Sequence, residues 1–496
     1  MTRRRGFASG VLAAAAAVAV SEALAALFNL RESPVLALGQ TVIRLTPGGI
    51  AEAIIGVVGT KDKPLAVASV LAAILLLGGL AGLWWSTRRT WSIGLVIALV
   101  VAAAAAVIGR PYAYGAGVIA CILAGLVVVA VLIALQPGEA VTESGRREFL
   151  RTAAVIAVAT VIVGGAGELL GSRRRRRQEI ERVRESLRLP TRGVAVPSGV
   201  DFGVKDQPRW LTPNDEFYVI DTVLSKPLID PNEWELRIHG MVDREMTLTY
   251  QDLLDRGLKD AWITLCCVSN PVGGDLIGNA TWSGVPIKDL LEEVGVQAGA
   301  DALLSTSADG WNCGTPLEAL MDGRDALLAL TMNGEPLPVA HGFPVRQVVP
   351  GLYGYVSATK WVTDWEVTRF QDFSAYWTQR GWGPLGPIKT QARIDLPRGS
   401  AEAGKVMVAG VAWQQQVGIS SVEVRVDGGP WQKATLAKVP NLDTWVQWTW
   451  QWDAEPGEHT IEARATNSEG EPQTSKIADV LPDGATGYPG IRVSIT

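Results

Sequence analysis

The first third of this chain carries long, nearly uninterrupted apolar segments, which constrain its fold more than any other feature. Four runs approach the roughly 20 residues that cross a bilayer as a helix, and a fifth follows a short polar loop. The runs are residues 7–28, 65–85, 92–109, 114–135 and 149–170. A shorter segment, residues 48–60, carries Glu52, and we interpret it as re-entrant or interfacial. Residues 1–172 are therefore predicted to form an α-helical bundle in a lipid bilayer.

Basic residues predict the orientation, because cytoplasmic loops carry an excess of Lys and Arg. Residues 3–5, 88–89 and 146–147 are arginines, and all fall inside if four spans precede residue 136. The sequence Gly145-Arg-Arg-Glu-Phe-Leu-Arg151 resembles the core of a twin-arginine export signal, although these arginines could also be ordinary inside anchors. The five arginines at 173–177 favour an inside location, but they also disfavour the ordinary secretion route. We expect a multi-pass protein of the cell membrane whose soluble part is extracytoplasmic.

The rest of the chain divides into three parts. Residues 173–205 read as a charged, basic stalk followed by a linker. Residues 206–385 mix short strands, turns and short helices, which favours an α+β domain. Residues 261–265 form an apolar strand, Trp234, Leu236 and Ile238 alternate as in a half-buried strand, and Thr249 is a plausible helix N-cap.

Residues 386–496 show the alternation of a β-rich domain. Residues 406–413, 421–429 and 461–467 read as strands separated by Gly, Asp and Asn turns. This pattern predicts an immunoglobulin-like β-sandwich, with most of its tryptophans in the core or at an interface. The fold class is therefore a multi-domain chain with a membrane bundle, an α+β domain and a β-sandwich.

Charge and residue counts exclude several classes. The net charge of −5 argues against nucleic-acid binding. The three histidines are His239, His341 and His459, so the membrane part cannot hold a bis-histidine haem. Four cysteines do not make a disulfide framework in a chain of 496 residues. We expect no haem and no iron–sulfur cluster in this chain.

The most informative short stretch is Thr264-Leu-Cys-Cys-Val-Ser-Asn270. A cysteine in a loop at a strand end is well placed to point into a cleft, where its thiolate could bind a metal. Cys267 is the favoured ligand, and Cys266 is the alternative. The competing interpretation is an ordinary buried thiol, since free cysteine is among the most buried residue types.

Several motifs occur in a fixed order around this cysteine. Together they resemble the molybdopterin domain of the sulfite oxidase family, which includes sulfite oxidases, plant-type nitrate reductases and periplasmic methionine sulfoxide reductase subunits. The C-terminal part resembles the dimerisation domain of that family in Gly410-Val-Ala-Trp413 and Val426-Asp-Gly-Gly-Pro-Trp431. The motifs begin at Thr212-Pro-Asn-Asp-Glu-Phe-Tyr218 and Thr264–Asn270, and continue at residues 279–291, 332–338, 341–346, 349–354 and 358–361.

The resemblance implies a Mo-molybdopterin cofactor with Cys267 as the metal ligand. It places Phe217, Tyr218 and Val219 along the pterin. A phosphate or nucleotide on the pterin requires cationic partners. The resemblance assigns the remaining cofactor contacts to Asp309, His341, Arg346, Ala358, Thr359 and Lys360.

Most of these residues could instead have a purely structural role. Arg346 could form a surface ion pair, and His341 could be structural. We expect Trp282 and Trp361 to be core aromatics and Cys313 to be an inert buried thiol.

The chain departs from sulfite oxidases at positions that matter for the substrate. Sulfite oxidases carry Arg-Asn-His where this chain has Ile220, Asp221 and Thr222, and an arginine where it has Val272. Burying a sulfite dianion without arginines is costly. We therefore expect a neutral or small substrate, such as an S-oxide or N-oxide, and a two-electron oxygen-atom transfer.

Two further readings remain open from the sequence. A catalytically inactive relative could serve as a membrane-bound binding or scaffold protein. A transporter is disfavoured because the spans are nearly free of charge. For the enzyme we expect a separate electron-transfer partner, either a cytochrome or a quinone-linked protein, and a homodimer unless the sandwich packs only on its own chain.

Overall fold

The computed structural model describes residues 3–28, 30, 32–47, 49–50, 62–110, 115–135, 143–169, 172–189 and 195–496. Two compact units emerge: Met1–Arg182 with Thr222–Leu228, and Val183–Asp221 with Ile229–Thr496. Most of the segment at residues 48–60, interpreted above as re-entrant or interfacial, lies outside the described residues.

The first unit is helical. Five of its helices are long and apolar enough to cross a membrane, and they coincide with the five predicted runs. A charged helix follows, as expected for the stalk, and its last residues belong to the second unit. The helices are α1 (Arg3–Leu27), α2 (Pro34–Leu45), α3 (Asp62–Trp85), α4 (Arg89–Ile108), α5 (Gly115–Ala134), α6 (Glu143–Leu169) and α7 (Ser172–Ser186).

Glycines bring α1 and α3 into backbone contact. A Cβ added to Gly10 would lie 2.0 Å from the carbonyl oxygen of Gly78, and one added to Gly82 would lie 2.2 Å from that of Gly6. Glycines four residues apart on both helices thus remove the side chains that would separate them. In a bilayer, where apolar burial drives little association, such close packing is a main source of helix–helix stability.

The amphipathic helix α2 was not predicted, although Ser33-Pro34 is a recognisable helix start. The side chain of Ser33 caps the helix. The buried amide of Gln40 donates to the carbonyl oxygen of Thr222 at 3.1 Å and accepts from the backbone N–H of Leu224 at 3.0 Å. These two bonds explain why residues 222–228 belong to the helical unit.

The second unit begins with an α+β domain of two sheets, as predicted. One sheet has the order β2-β1-β10-β5-β6, and the other has the order β3-β4-β7-β8 with β9 paired to β7. The strands are β1 (Glu235–Gly240), β2 (Met246–Thr249), β3 (Lys259–Cys266), β4 (Ile277–Pro286), β5 (Ala302–Ser307), β6 (Asn312–Pro316), β7 (Leu327–Met332), β8 (Glu335–Pro336), β9 (Arg346–Val348) and β10 (Val362–Thr368). The helices are α8 (Tyr250–Asp255), α9 (Ile287–Val294), α10 (Leu317–Met321) and α11 (Gly354–Ser357).

The local predictions for this domain are confirmed. Leu236 and Ile238 of β1 are fully buried, and the predicted strand at residues 261–265 lies within β3. The hydroxyl of Thr249 caps α8 by accepting from the backbone N–H of Asp252 at 3.2 Å, and the Asp252 carboxylate completes a capping box. Sequence patterns of this local kind need no tertiary information.

The C-terminal strands form two sheets packed on one apolar core. The strands are β11 (Gln391–Leu396), β12 (Ser400–Ala401), β13 (Gly404–Trp413), β14 (Ile419–Val426), β15 (Gln432–Lys433), β16 (Thr435–Leu436), β17 (Val446–Ala454), β18 (Gly457–Asn467) and β19 (Gly490–Ile495). Their orders are β11-β13-β17-β16 and β12-β19-β18-β14-β15. Side chains from both sheets, including the fully buried Trp448, pack together in one apolar core.

The end of the predicted linker packs against this sandwich. The carbonyl oxygen of Gly199 accepts from the backbone N–H of Lys438 at 2.9 Å, and the Phe202 N–H donates to the side chain of Gln447 at 2.9 Å. Val200 between them is buried. Residues 199–202 are therefore fixed to the second unit.

Candidate functional site

Strand β3, which ends at Cys266, is anchored through the edge that does not face β4. The backbone N–H of Thr264 donates to the carbonyl oxygen of Asp443 at 2.9 Å, and its carbonyl accepts from Gln415 at 2.9 Å. Its hydroxyl accepts from the backbone N–H of Trp445 at 2.8 Å. An uncovered edge strand is free to pair elsewhere. Here the sandwich covers the edge and fixes the start of the following loop.

The two adjacent cysteines point to different environments. Cys266 is 1 % exposed, and its Sγ contacts the carbonyl oxygen of Cys267 at 3.5 Å. Cys267 is 9 % exposed, and its Sγ lies 2.9 Å from the hydroxyl of Ser269. Burial raises the pKa of both thiols, and the Ser269 hydroxyl opposes that rise at Cys267. Cys267 is thus the better placed of the two for an external ligand.

Asn270 closes the cysteine loop, which we define as residues 267–276. Its side-chain oxygen accepts from the backbone N–H of Leu276 at 3.0 Å, while the Cys267 N–H donates to the Leu276 carbonyl at 2.9 Å. A Cβ on Gly274 would lie 2.4 Å from the same Asn270 oxygen. The Cys-x-x-Asn spacing therefore has a structural reason, since the asparagine replaces missing backbone partners.

His341, Arg346 and Lys360 come together as predicted, and we call them the basic cluster. The backbones of Arg346 and Lys360 are bridged, and Arg346 Nη1 donates to the carbonyl oxygen of His341 at 3.1 Å. Gly342 has a φ of +111°, and a Cβ there would lie 3.0 Å from the Arg346 Cβ. Only glycine tolerates both this conformation and this close approach.

Aromatic rings connect the basic cluster to the cysteine strand. The ring of Phe217 packs edge-on against His341 at 5.6 Å and stacks on Tyr218 at 5.2 Å. The same ring lies over Gly278, where a Cβ would be 2.7 Å away, and Gly278 pairs with Leu265 of β3. The predicted residues Phe217 and Tyr218 thus lie between the two groups.

Tyr218 is close to both ends of the site. A Cβ on Gly354 would lie 3.8 Å from the Tyr218 hydroxyl and 3.7 Å from the Cys266 carbonyl oxygen. Burial raises the pKa of Tyr218, negative charge on Cys267 and Cys266 raises it further, and the Arg346 charge lowers it. These interactions identify Tyr218 as a neighbour of the cysteines and of the guanidinium together.

Arg346 is a buried cation, so the alternative of a surface ion pair is wrong. It is 5 % exposed, makes no salt bridge with any described residue, and packs 5.0 Å above the ring of Trp282. Its Nε is buried with no hydrogen-bond partner in the described part of the chain. Burial lowers the pKa of Arg346 to about 10, while Tyr218 opposes this. An uncompensated buried charge is costly, which indicates a site completed by an anion.

Lys360 differs from Arg346 because it has an acidic partner. Its Nζ lies 3.0 Å from Oδ2 of Asp221 and donates to the carbonyl oxygen of Ala340 at 3.2 Å. Both charged side chains are largely buried. Sequence reasoning identified Asp221 only as a departure from the sulfite oxidase pattern and missed this pairing.

The other residues that the resemblance assigns to the cofactor lie outside the basic cluster and the cysteine loop. Thr359 is fully buried, its hydroxyl lies 3.2 Å from the Sγ of Cys313, and its carbonyl oxygen accepts from the backbone N–H of Gln347 at 2.8 Å. The Asp309 carboxylate accepts from the backbone N–H of Trp311 at 3.0 Å in a turn. Ala358 ends α11 and is half-buried, and Val219 is exposed.

The expectation that Trp282, Trp361 and Cys313 are buried is confirmed. Trp282 and Trp361 are buried, although each supports a cation on its face. Cys313 is buried, and burial raises its pKa to about 11. His341 makes a structural contact, since its Nε2 lies 3.1 Å from the carbonyl oxygen of Asn214. Asn214 belongs to the Thr212–Tyr218 motif but was not singled out.

The side chains at this site favour a metal whose ligands come mostly from a cofactor and not from the protein. Among the described residues, no group of three or more His, Cys, Asp or Glu side chains could hold a metal ion. One thiol and one buried cation do not make a protein-only metal site. The same residues fit a metal carried by an anionic organic cofactor, whose charge Arg346 would bind.

Comparison with known proteins agrees with this interpretation. The family model for the oxidoreductase molybdopterin binding domain matches residues 223–377. The chain is 32 % identical over 157 residues to the uncharacterized oxidoreductase YuiH of Bacillus subtilis, covering 32 % of this chain and 76 % of YuiH. It is 28 % identical over 297 residues to mitochondrial sulfite oxidase of Drosophila melanogaster, covering 49 % of this chain and half of that enzyme.

A solved structure shares the fold. The sulfane dehydrogenase SoxCD of Paracoccus pantotrophus aligns with a TM-score of 0.51 at 22 % identity, covering 62 % of this chain and 94 % of that one. The chain spans 50–63 % of the length of the fly and chicken sulfite oxidases. The matched domain, the YuiH similarity and the shared fold lead to one conclusion. The chain belongs to the sulfite oxidase family of molybdopterin-dependent oxidoreductases.

Proposed function

We propose that this chain is a membrane-tethered Mo-molybdopterin oxidoreductase that catalyses a two-electron oxygen-atom transfer with a small substrate. The observation that carries the proposal is the buried Arg346 guanidinium, which has an unpartnered Nε and no carboxylate partner among the described residues. Aromatic rings lead from it, through Trp282 and Phe217, to strand β3, which ends one residue before Cys267. This arrangement supports an anionic pterin between the two.

Each residue has a distinct part in holding the cofactor. Cys267 is the protein ligand to molybdenum, because its thiol is the more exposed of the pair. Arg346 offers a fork of donors to an anionic group, which a lysine cannot reproduce. Bound there, the cofactor supplies the two-electron redox change and the exchangeable oxygen. Supporting contacts come from Phe217, Tyr218, Val219, Asp309, His341, Ala358, Thr359 and Lys360.

The side chains at the positions where sulfite oxidases carry cationic residues do not suit sulfite. Ile220 is 45 % exposed and uncharged, Asp221 is engaged with Lys360, and Val272 replaces an arginine. Without those cations a dianion loses its main source of binding energy. We therefore favour a neutral S-oxide or N-oxide over sulfite.

The remaining parts of the proposal concern location and partners. The five long apolar helices support insertion in the cell membrane as a multi-pass protein. The sequence at residues 145–151 supports an extracytoplasmic catalytic part. A separate cytochrome or quinone-linked protein exchanges the electrons, and the C-terminal sandwich acts as an immunoglobulin-like dimerisation domain.

Metal and pterin analysis of the purified full-length chain tests this function. We expect about one molybdenum and one pterin per chain in the wild type, with molybdenum lost in Cys267→Ser. Cys266→Ser is the matched control and should keep the metal. A wild-type chain without molybdenum would instead support the catalytically inactive binding protein.

Activity and spectra provide a second test. S-oxides and N-oxides should reoxidise a reduced dye in the presence of the wild-type chain but not of Cys267→Ser. Haem absorption by the purified chain alone would contradict the need for a separate electron-transfer partner.

A further inference from the structure

We infer that Asp221 is a positioning residue that competes with the cofactor's anionic group for Lys360. This inference rests on the proposed function. The Lys360 Nζ lies 3.0 Å from Asp221 Oδ2, and the two side chains are 12 % and 5 % exposed. At such burial water screens the pair weakly, so the carboxylate is a strong internal rival for any external anion.

The ion pair belongs to the basic cluster. Lys360 Nζ also donates to the carbonyl oxygen of Ala340, the residue before His341, at 3.2 Å. The Lys360 backbone is bridged to that of Arg346. An anion bound by Arg346 and Lys360 together would therefore meet the Asp221 carboxylate.

The charges of these three groups favour opening the pair. Arg346 and Lys360 carry two positive charges and Asp221 carries one negative charge, whereas a phosphate monoester carries about −1.5 to −2 at neutral pH. Two adjacent anions repel each other, so a phosphate gains most when Lys360 turns from Asp221 towards it.

Lys360 is the partner whose side chain turns, because its ammonium group sits on a flexible four-carbon stem. The Asp221 side chain is 5 % exposed, and the nearby Tyr218 stacks on the ring of Phe217 at 5.2 Å. Loading the cofactor therefore opens the ion pair by turning Lys360, and the empty chain keeps Lys360 paired with Asp221.

Two opposite effects of Asp221→Asn follow. Without the rival carboxylate, the cofactor-free chain should bind phosphate about ten-fold more tightly, as expected from removing one like charge nearby. The same chain should melt at a lower temperature, because Lys360 loses its counter-charge in a buried setting. A purely structural ion pair gives the second effect without the first.

The test uses the full-length chain in detergent, freed of cofactor, with inorganic phosphate as the probe. Thermal unfolding is followed during a phosphate titration, and the half-saturating concentration is compared between variants. Asp221→Glu keeps the charge and should behave like the wild type, and Lys360→Met should lose most of the phosphate response. Asp364→Asn is the matched control. Asp364 of β10 pairs with His239 at 3.1 Å, so this substitution should leave the phosphate response unchanged.

A second readout uses the loaded chain, in which Asp221→Asn should release pterin more slowly than the wild type on dilution. The inference is overturned if Asp221→Asn binds phosphate no more tightly than the wild type, or if the wild type and Asp221→Asn both ignore phosphate. The proposed function fails separately, on the molybdenum content of the wild-type chain. If Asp221→Asn binds phosphate more tightly but the chain never contains molybdenum, the proposed enzymatic function is contradicted, while the competition for Lys360 is supported.

Discussion

Cys267 follows a strand held by neutral hydrogen bonds, whereas Arg346 and Lys360 lie among buried charges. Thr264 hydrogen-bonds to three residues of the sandwich, and Asn270 replaces missing backbone partners in the cysteine loop. The basic cluster instead relies on charge, with one ion pair and one guanidinium unmatched among the described residues. Neutral bonds give fixed geometry, while buried charges give affinity that responds to a ligand. Under the proposed function, the metal end of the site, at the cysteine loop, is therefore rigid, and the carrier end, at the basic cluster, is selective.

Arg346→Met is expected to have the largest effect, because it removes the cation on which the carrier end depends. Pterin and molybdenum retained after gel filtration should fall about 100-fold, as for the loss of one partner of a buried charge contact. Arg346→Lys keeps the charge without the fork and should give an intermediate value. Full cofactor content in Arg346→Met would show that the buried guanidinium serves the fold alone.

Thr264→Val should lower the stability of the fold around the metal end. It leaves the Trp445 N–H and the Asn279 side chain, which meets the Thr264 hydroxyl at 2.9 Å, without their partner. We expect a loss of about 2–4 kcal/mol in unfolding free energy, with cofactor content per folded chain unchanged. Denaturant unfolding measures the loss, and the exposed Thr247→Val on β2 should change it by less than about 0.5 kcal/mol. Equal losses in the two variants would remove the assigned role of Thr264.

Ser269→Ala should have a smaller, pH-dependent effect. The Ser269 hydroxyl lowers the pKa of Cys267 against the larger opposing effect of burial. Without it the pKa rises and less thiolate exists at a given pH, so alkylation of the cofactor-free chain should slow a few-fold. The pH–rate profile of Cys267 labelling, read by mass spectrometry, should shift to higher pH, whereas Ser269→Thr should keep the wild-type profile. An unchanged profile in Ser269→Ala would exclude the hydrogen bond.

Cys313→Ala should have the smallest effect. Cys313 lies in the core beside Thr359, with its pKa raised to about 11 by burial. We expect unchanged molybdenum content and a stability loss of about 1 kcal/mol. Loss of the metal in this variant would indicate a metal ligand outside the cysteine loop, and it would contradict the contrast between the metal end and the carrier end.

The sequence predicted those features that depend on local pattern. The apolar runs predicted the five long helices, and the run before Cys267 predicted β3. Thr249 was identified as a helix cap because its partner Asp252 lies three residues away. Ordered motifs also predicted that His341, Arg346 and Lys360 would be near one another.

What the sequence did not predict depends on long-range pairing. Asp221 and Lys360 are 139 residues apart, and no local pattern reports that a carboxylate faces an ammonium across that distance. The turn of Thr359 towards Cys313 and the contact of Asn214 with His341 are of the same kind. Each is decided by packing, which periodicity and spacing do not encode.

The most direct test of the central claim is to replace the sulfur of Cys267 by selenium and record X-ray absorption at the molybdenum edge. The account predicts a selenium neighbour bonded to molybdenum in that chain, and none when the sulfur of Cys266 is replaced instead. A selenium neighbour that appears only with the change at Cys266, or with neither change, would contradict Cys267 as the metal ligand.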